Sequence, residues 1–117
     1  RYNEPGKQCI RMQQNLTTVG TVQMNFDVTE GASKVTVFYG RYSTDARSQF
    51  RLESSTNGGT TWTTVGSTIT APADKEFRQA VWMVNYTGNV RFRLAKLGLG
   101  TSNNGRLNFD DFVIYKK

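Results

Sequence analysis

The strongest constraint on this chain is the spacing of its apolar residues. They alternate with polar ones in short runs, Gly, Asn and Ser clusters separate the runs, and no stretch holds a helical period. Alternation puts successive side chains on opposite faces of a strand, so it specifies half-buried strands rather than helices. The qualifying runs are Gln8–Gln13, Thr21–Val28, Lys34–Tyr42, Gln49–Ser55, Thr61–Val65, Phe77–Val84, Asn89–Ala95 and Leu107–Tyr115. Short strands punctuated by turn residues along a whole chain are the pattern of an all-β sandwich or barrel. The expected fold class is all-β, an antiparallel two-sheet β-sandwich of about eight strands.

Period two also sorts the faces. Val22, Met24, Phe26 and Val28 share one side, as do Val35, Val37 and Tyr39, Phe50 with Leu52, Val81 with Met83, and Val90, Phe92 and Leu94. These sets are the expected core, and Arg51, Glu53, Arg91 and Arg93 fall on the wet side. Two stretches break the rule. Around Trp82 both faces are apolar, which suits a strand covered on its outer side or one with Trp82 and Val84 on an exposed patch. In Leu107–Tyr115, Leu107 and Phe109 are out of phase with Phe112 and Ile114, and an extra residue at Asp110 or Asp111, a β-bulge, restores the register. Asn57-Gly58-Gly59 tolerates positive φ, so Gln49–Val65 is expected to be a hairpin.

At 117 residues one domain buries roughly two thirds of the surface its unfolded chain exposes, enough for a core without disulfide or metal. Residues 1–117 are therefore expected to form a single domain and a monomer. The sequence has no His and one Cys, which removes imidazole-based catalysis, thiolate zinc sites and internal disulfides. Cys9 reads as a small buried apolar residue. No apolar run approaches the roughly 18 residues of a membrane helix, so no membrane insertion is expected. The start, Arg1-Tyr2-Asn3-Glu4-Pro5, has neither an initiator Met nor the apolar segment of a signal peptide, as expected of a domain excised from a larger protein. A net charge of +6 favours acidic or phosphorylated partners, although it also serves solubility.

Longer motifs add a resemblance. Ser55-Thr56-Asn57-Gly58-Gly59-Thr60-Thr61-Trp62 resembles the Asp-box turn of sialidases, S-x-D-x-G-x-T-W, with Asn57 in place of the Asp. In that motif the Trp packs under the hairpin, which assigns Trp62 to packing rather than to a ligand. Thr87-Gly88-Asn89-Val90-Arg91-Phe92-Arg93-Leu94, the run from Asn104-Gly105-Arg106-Leu107 through Asp110-Asp111 to Ile114, and Lys7-Gln8-Cys9-Ile10-Arg11-Met12 are similar to a jelly-roll accessory domain of secreted and surface bacterial proteins. The resemblance implies a MAM-like or carbohydrate-binding-module-like jelly-roll sandwich. It also implies secretion or a cell-surface address, and a place beside extracellular nucleases or glycan-active hydrolases.

Three groups of side chains are candidates for function. Asp110 and Asp111 are the candidate ligands of a structural calcium ion, which prefers hard oxygen donors, against the alternative that Asp110 caps loop amides or pairs with Arg106. Adjacent strand residues face opposite ways, so the pair does not suit a glycosidase acid and nucleophile. Arg91, Arg93, Lys96 and Arg106, with Arg78 alongside, form a candidate basic stripe for phosphate or sulfated glycan, against a solvated face with Arg stems over apolar surface. Trp82 and Tyr86, with Tyr39, Tyr42 and Tyr115, are candidate sugar-stacking or base-stacking rings, and Asn85, Asn103 and Asn104 candidate hydrogen-bonding partners. The expected function is a non-catalytic ligand-binding module for polysaccharide or glycan, using Trp82, Tyr86, Arg91, Arg93, Arg106 and Asn104. The alternatives are a nucleic-acid-binding accessory domain of a nuclease and a structural spacer. No cofactor is expected apart from the calcium ion.

Overall fold

The structure, a computed structural model, describes residues 10–12, 20–41, 48–72, 76–97 and 105–117. Its strands are β1 (Ile10–Met12), β2 (Gly20–Gln23), β3 (Ala32–Arg41), β4 (Gln49–Ser55), β5 (Thr63–Thr70), β6 (Arg78–Tyr86), β7 (Arg91–Leu97) and β8 (Leu107–Tyr115). They form two four-stranded sheets, sheet A in the order β1-β8-β3-β6 and sheet B in the order β2-β7-β4-β5. All the pairings are antiparallel, and β1 pairs with β8, β2 with β7, β3 with β6 and β4 with β5. That nesting is a long hairpin rolled so that alternate pairs fall in opposite sheets, which is the jelly roll. The sequence expectation of a two-sheet sandwich is met, and β4 and β8 begin and end where the alternation places them.

Between the sheets, Val35, Val37, Phe50, Leu52, Val90, Phe92, Leu94, Leu107 and Phe109 are buried. Phe50 is the hub. Tyr39 from β3, Phe109 from β8 and Trp82 from β6 meet it edge-on, with centroids at 5.1, 4.9 and 6.4 Å. Edge-to-face contact aligns the positive rim of one ring with the negative face of the next.

The expected bulge at the aspartate pair is present: the β3–β8 register shifts between Thr36 and Phe38, opposite Val113 and Asp110. Asp111 takes the left-handed conformation, φ 50°, and its backbone N–H donates to the Asp110 Oδ1 at 2.8 Å. A second bulge lies in β5, where Phe50 faces Ile69 and Leu52 faces Val65. Gly66 absorbs it at φ 70°, which lets β5 run on to Thr70 instead of ending at Val65.

Two expectations about the core are corrected. On β6 the inward residues are Ala80 and Trp82, 5% and 6% exposed, while Val81 and Met83 are 52% and 74% exposed. Pairing of Val35 with Trp82 and Val37 with Ala80 fixes this phase, because burying an indole removes far more apolar surface than burying Val or Met. Phe26 is 60% exposed. Alternation holds through Met24, which packs against the core, and stops at the bend at Asn25 and Phe26, after which Val28 returns to the core, bridging Val90.

Lys96 is also not where its charge suggests. It shares the inward phase of Phe92 and Leu94 and is 1% exposed, paired with Gly20 and Phe50. Burial disfavours the ammonium, so its pKa lies below the ordinary 10.5. Between the folded pKa and 10.5 the unfolded chain holds a proton that the folded chain has lost. Stability therefore rises with pH through that window. Denaturant midpoints measured from neutral pH up to 10.5 are expected to show this rise in the native protein and a flatter profile in Lys96→Met.

Candidate functional site

The β4–β5 turn builds the first part of the site. Gly58 and Gly59 adopt φ 72° and 89°, a conformation that costs glycine little. Ser55 Oγ donates to the Asn57 Oδ1 at 2.8 Å and accepts the Gly59 N–H at 2.9 Å. Asn57 Oδ1 also accepts the Thr61 N–H at 3.0 Å, and its Nδ2 donates to the Thr61 Oγ1 at 2.8 Å. With Asn57 the amide donates to the Thr61 hydroxyl, whereas an Asp in its place would accept from that hydroxyl, so the turn keeps the contact with its direction reversed. Locked in this way, the turn delivers Trp62 to the outer face of sheet B. Its Nε1 donates to the Gly59 carbonyl at 3.1 Å.

The sheet supplies the rest. Gln23 pairs with Arg93, Arg93 with Glu53 and Glu53 with Thr64, a row running across β2, β7, β4 and β5. Neighbouring strands lie about 4.8 Å apart, so the row's side chains stand next to one another on one face. The Arg93 guanidinium stacks over the Trp62 ring at 4.3 Å and donates through Nε to the Glu53 Oε1 at 2.5 Å. Arg51 donates through Nε to the other oxygen, Oε2, at 2.7 Å. Glu53 is 4% exposed, so a nearly dehydrated carboxylate bridges the two guanidiniums. Arg91, on the same face of β7, donates through Nε to the Asp27 Oδ1 at 2.6 Å. A Cβ added at Gly59 would lie 3.5 Å from Trp62, 3.7 Å from the Arg91 Nη1 and 3.7 Å from the Gln23 Nε2, so these groups converge beside the turn.

Of the residues expected to bind ligand, Arg91 and Arg93 lie on this face. Trp82 does not: it is core, its indole edge forming part of a groove of about 340 Å³ between the β5 and β6 edges with Val65, Ile69, Val81 and Met83. Tyr86 packs on Phe92 at 5.8 Å, and its hydroxyl meets the Ser54 Oγ at 2.6 Å in a cleft of about 160 Å³ lined by Ser54, Ser55, Thr56, Thr61 and Thr63. Arg106 precedes β8 and Arg78 opens β6, and both strands belong to sheet A. The expected stripe is thus divided between two sheets, and Lys96 is inside. Asn104, Asn103, Tyr42 and Cys9 lie outside the described residues. Asp110 and Asp111 sit at the β8 bulge, and the Asp111 Oδ1 is buried with no hydrogen-bond partner among the described residues. No group of three or more His, Cys, Asp or Glu side chains that could hold a metal occurs among those residues.

Sequence reasoning left out Trp62, Gln23, Arg51, Glu53 and Asp27. The available signal was the phase of Arg51 and Glu53 against Arg91 and Arg93, all placed on outward faces. What was not available was the pairing of β4 with β7 that brings them together.

No family model matches the sequence, and no curated protein matches it. Solved structures do. TmCBM61, in complex with β-1,4-galactotriose, is similar with TM-score 0.64 at 15% identity, over 96% of this chain and 72% of that one. The CBM22-1 xylan-binding domain of Xyn10C from Paenibacillus barcinonensis gives TM-score 0.58 at 14% identity, over 99% and 76%. The C-terminal domain of EclA, a sugar-binding protein, gives 0.59 at 11%, over 97% and 81%. At these identities the likeness establishes the fold, a jelly-roll β-sandwich of the kind seen in carbohydrate-binding modules.

Proposed function

We propose that this domain is a non-catalytic glycan-binding module that takes polysaccharide on the outer face of sheet B. The observation that carries this reading is the Arg93 guanidinium, clamped by Glu53 and stacked on Trp62. Sugar recognition needs an apolar surface for C–H groups and fixed donors and acceptors for hydroxyls. Trp62 supplies the surface, and Arg51, Arg91, Arg93, Gln23 and Thr64 supply the polar groups. Ion pairing fixes the guanidiniums before a ligand arrives, which reduces the side-chain entropy lost on binding. The likeness to a xylan-binding domain and to a module in complex with galactotriose supports the same reading.

Catalysis does not suit this face. Its carboxylates, Glu53 and Asp27, are both held by arginines, whereas glycoside hydrolysis needs two free carboxyls aimed at one bond. The module is read as an accessory domain of a secreted or surface protein, beside a catalytic domain. One observation favours a spacer instead: Phe38, Phe77, Val81 and Met83 stand exposed, a surface suited to contact with a neighbouring domain. A glycan panel run beside a nucleic-acid gel shift at two salt concentrations separates the readings. Binding in the glycan panel supports the module, binding to nucleic acid alone that falls steeply with salt supports the accessory domain of a nuclease, and a blank in both assays supports the spacer.

Calcium at Asp110 and Asp111 is a further part of the proposal. The unpartnered Asp111 Oδ1 fits a hard cation, which would draw its other ligands from backbone carbonyls. Bound to the folded state alone, calcium adds stability in proportion to the logarithm of its concentration over Kd. Millimolar calcium is expected to raise Tm by several degrees and a chelator to reverse it. An unchanged Tm rules out a structural calcium ion at this bulge.

A further inference from the structure

We propose that the Trp62–Arg93 face selects acidic polysaccharide, with uronate carboxylates as the groups it recognises; this rests on the glycan-binding reading and names the ligand class for the same face. The observation is a charge imbalance built into the ion-pair network. Around Glu53 two guanidiniums share one carboxylate, and the Arg91–Asp27 pair beside them is balanced. Among the described residues the face thus carries one positive charge in excess.

The chemistry of the donors specifies what fits there. Each arginine meets its carboxylate through Nε, and a guanidinium has further donors on its terminal nitrogens, in a planar fork that matches a carboxylate. Arg91 and Arg93 are two residues apart on one strand face, about 7 Å, and Arg51 lies diagonally across from Arg93 at a similar spacing. A planar anion set among these groups completes the pairing that Glu53 leaves incomplete, through charge-assisted hydrogen bonds. The chain's net charge of +6 adds long-range attraction for a polyanion. A nucleic-acid backbone is a poorer occupant, because its affinity comes from neutralising many phosphates at once and the face has one positive charge in excess. Here Lys96 is buried, and Arg78 and Arg106 belong with the strands of the other sheet.

The test compares polygalacturonate with its methyl-esterified form, which keeps the backbone and loses the charge. By calorimetry at low salt the acid form is expected to bind about tenfold tighter, with the gap narrowing as salt screens the charges. Arg51→Gln is expected to move the acid-to-ester ratio toward one, while Arg78→Gln, the same charge change on sheet A, leaves the ratio unchanged. Thermal melts confirm that both variants fold. Equal binding of the two forms, or an equal effect of the two substitutions, overturns the acid preference and leaves glycan binding standing. Tighter binding of single-stranded DNA than of polygalacturonate overturns the uronate assignment. If neutral members of a glycan panel bind and neither pectin form does, the acid preference alone fails; if nothing in the panel binds, both readings fail.

Discussion

Phe50→Ala is expected to lower the free energy of unfolding by about 4 kcal/mol, among the larger costs of a core truncation. The side chain is fully buried and touches rings from three strands of the opposite sheet, Tyr39 on β3, Trp82 on β6 and Phe109 on β8. Its removal takes away the transfer free energy of the ring and leaves a cavity where the two sheets are joined. Collapse around the gap is limited, because Tyr39, Trp82 and Phe109 are held at fixed register in paired strands. Urea unfolding with an unchanged m-value and a reduced midpoint is the expected record. By contrast, Met83→Ser, on the exposed side of β6, is expected to change stability by less than about 0.5 kcal/mol. A loss at Met83 as large as that at Phe50 would reverse the assigned phase of β6.

Trp62→Ala is expected to weaken glycan affinity about thirtyfold, the size of a binding hot spot. Two contributions are lost together: the apolar surface of the indole and the support that holds the Arg93 guanidinium at 4.3 Å. Arg93→Gln should therefore cost a similar amount. In a double-mutant cycle the combined loss should fall short of the sum, since each residue acts partly through the other. Trp62→Phe keeps a stacking ring but loses the Nε1 bond to the Gly59 carbonyl, so an intermediate affinity is expected. Additive losses in the cycle would mean that Trp62 and Arg93 meet the ligand independently, or not at one site.

Much of the fold was legible because period two is a local signal. It located each strand and, through the phase break between Phe109 and Phe112, the bulge at Asp110 and Asp111. The expected strand stopped at Ala95 and Lys96 was set with the arginines by its charge; β7 runs on to Leu97, and the same period carried one residue further puts Lys96 in phase with Phe92 and Leu94. The signal failed where both faces of a strand are apolar, as around Trp82, and where a bend ends the alternation, as at Phe26. The proposed binding face was less legible for a different reason. Trp62 had a sufficient local explanation as the aromatic of a turn motif, and that packing is real. The second role proposed for it depends on Arg93, which reaches it only through the pairing of β4 with β5 and of β4 with β7. Strand order of this kind is a property of the whole chain and leaves no mark on the alternation of one strand.

Amide and indole chemical-shift mapping during a glycan titration shows whether ligand binds on the outer face of sheet B. The largest shifts are expected on Gln23, Arg51, Glu53, the Trp62 indole, Thr64, Arg91 and Arg93. Shifts centred instead on Phe38, Phe77, Val81 and Met83, or on the Val65–Trp82 groove, would contradict binding on that face.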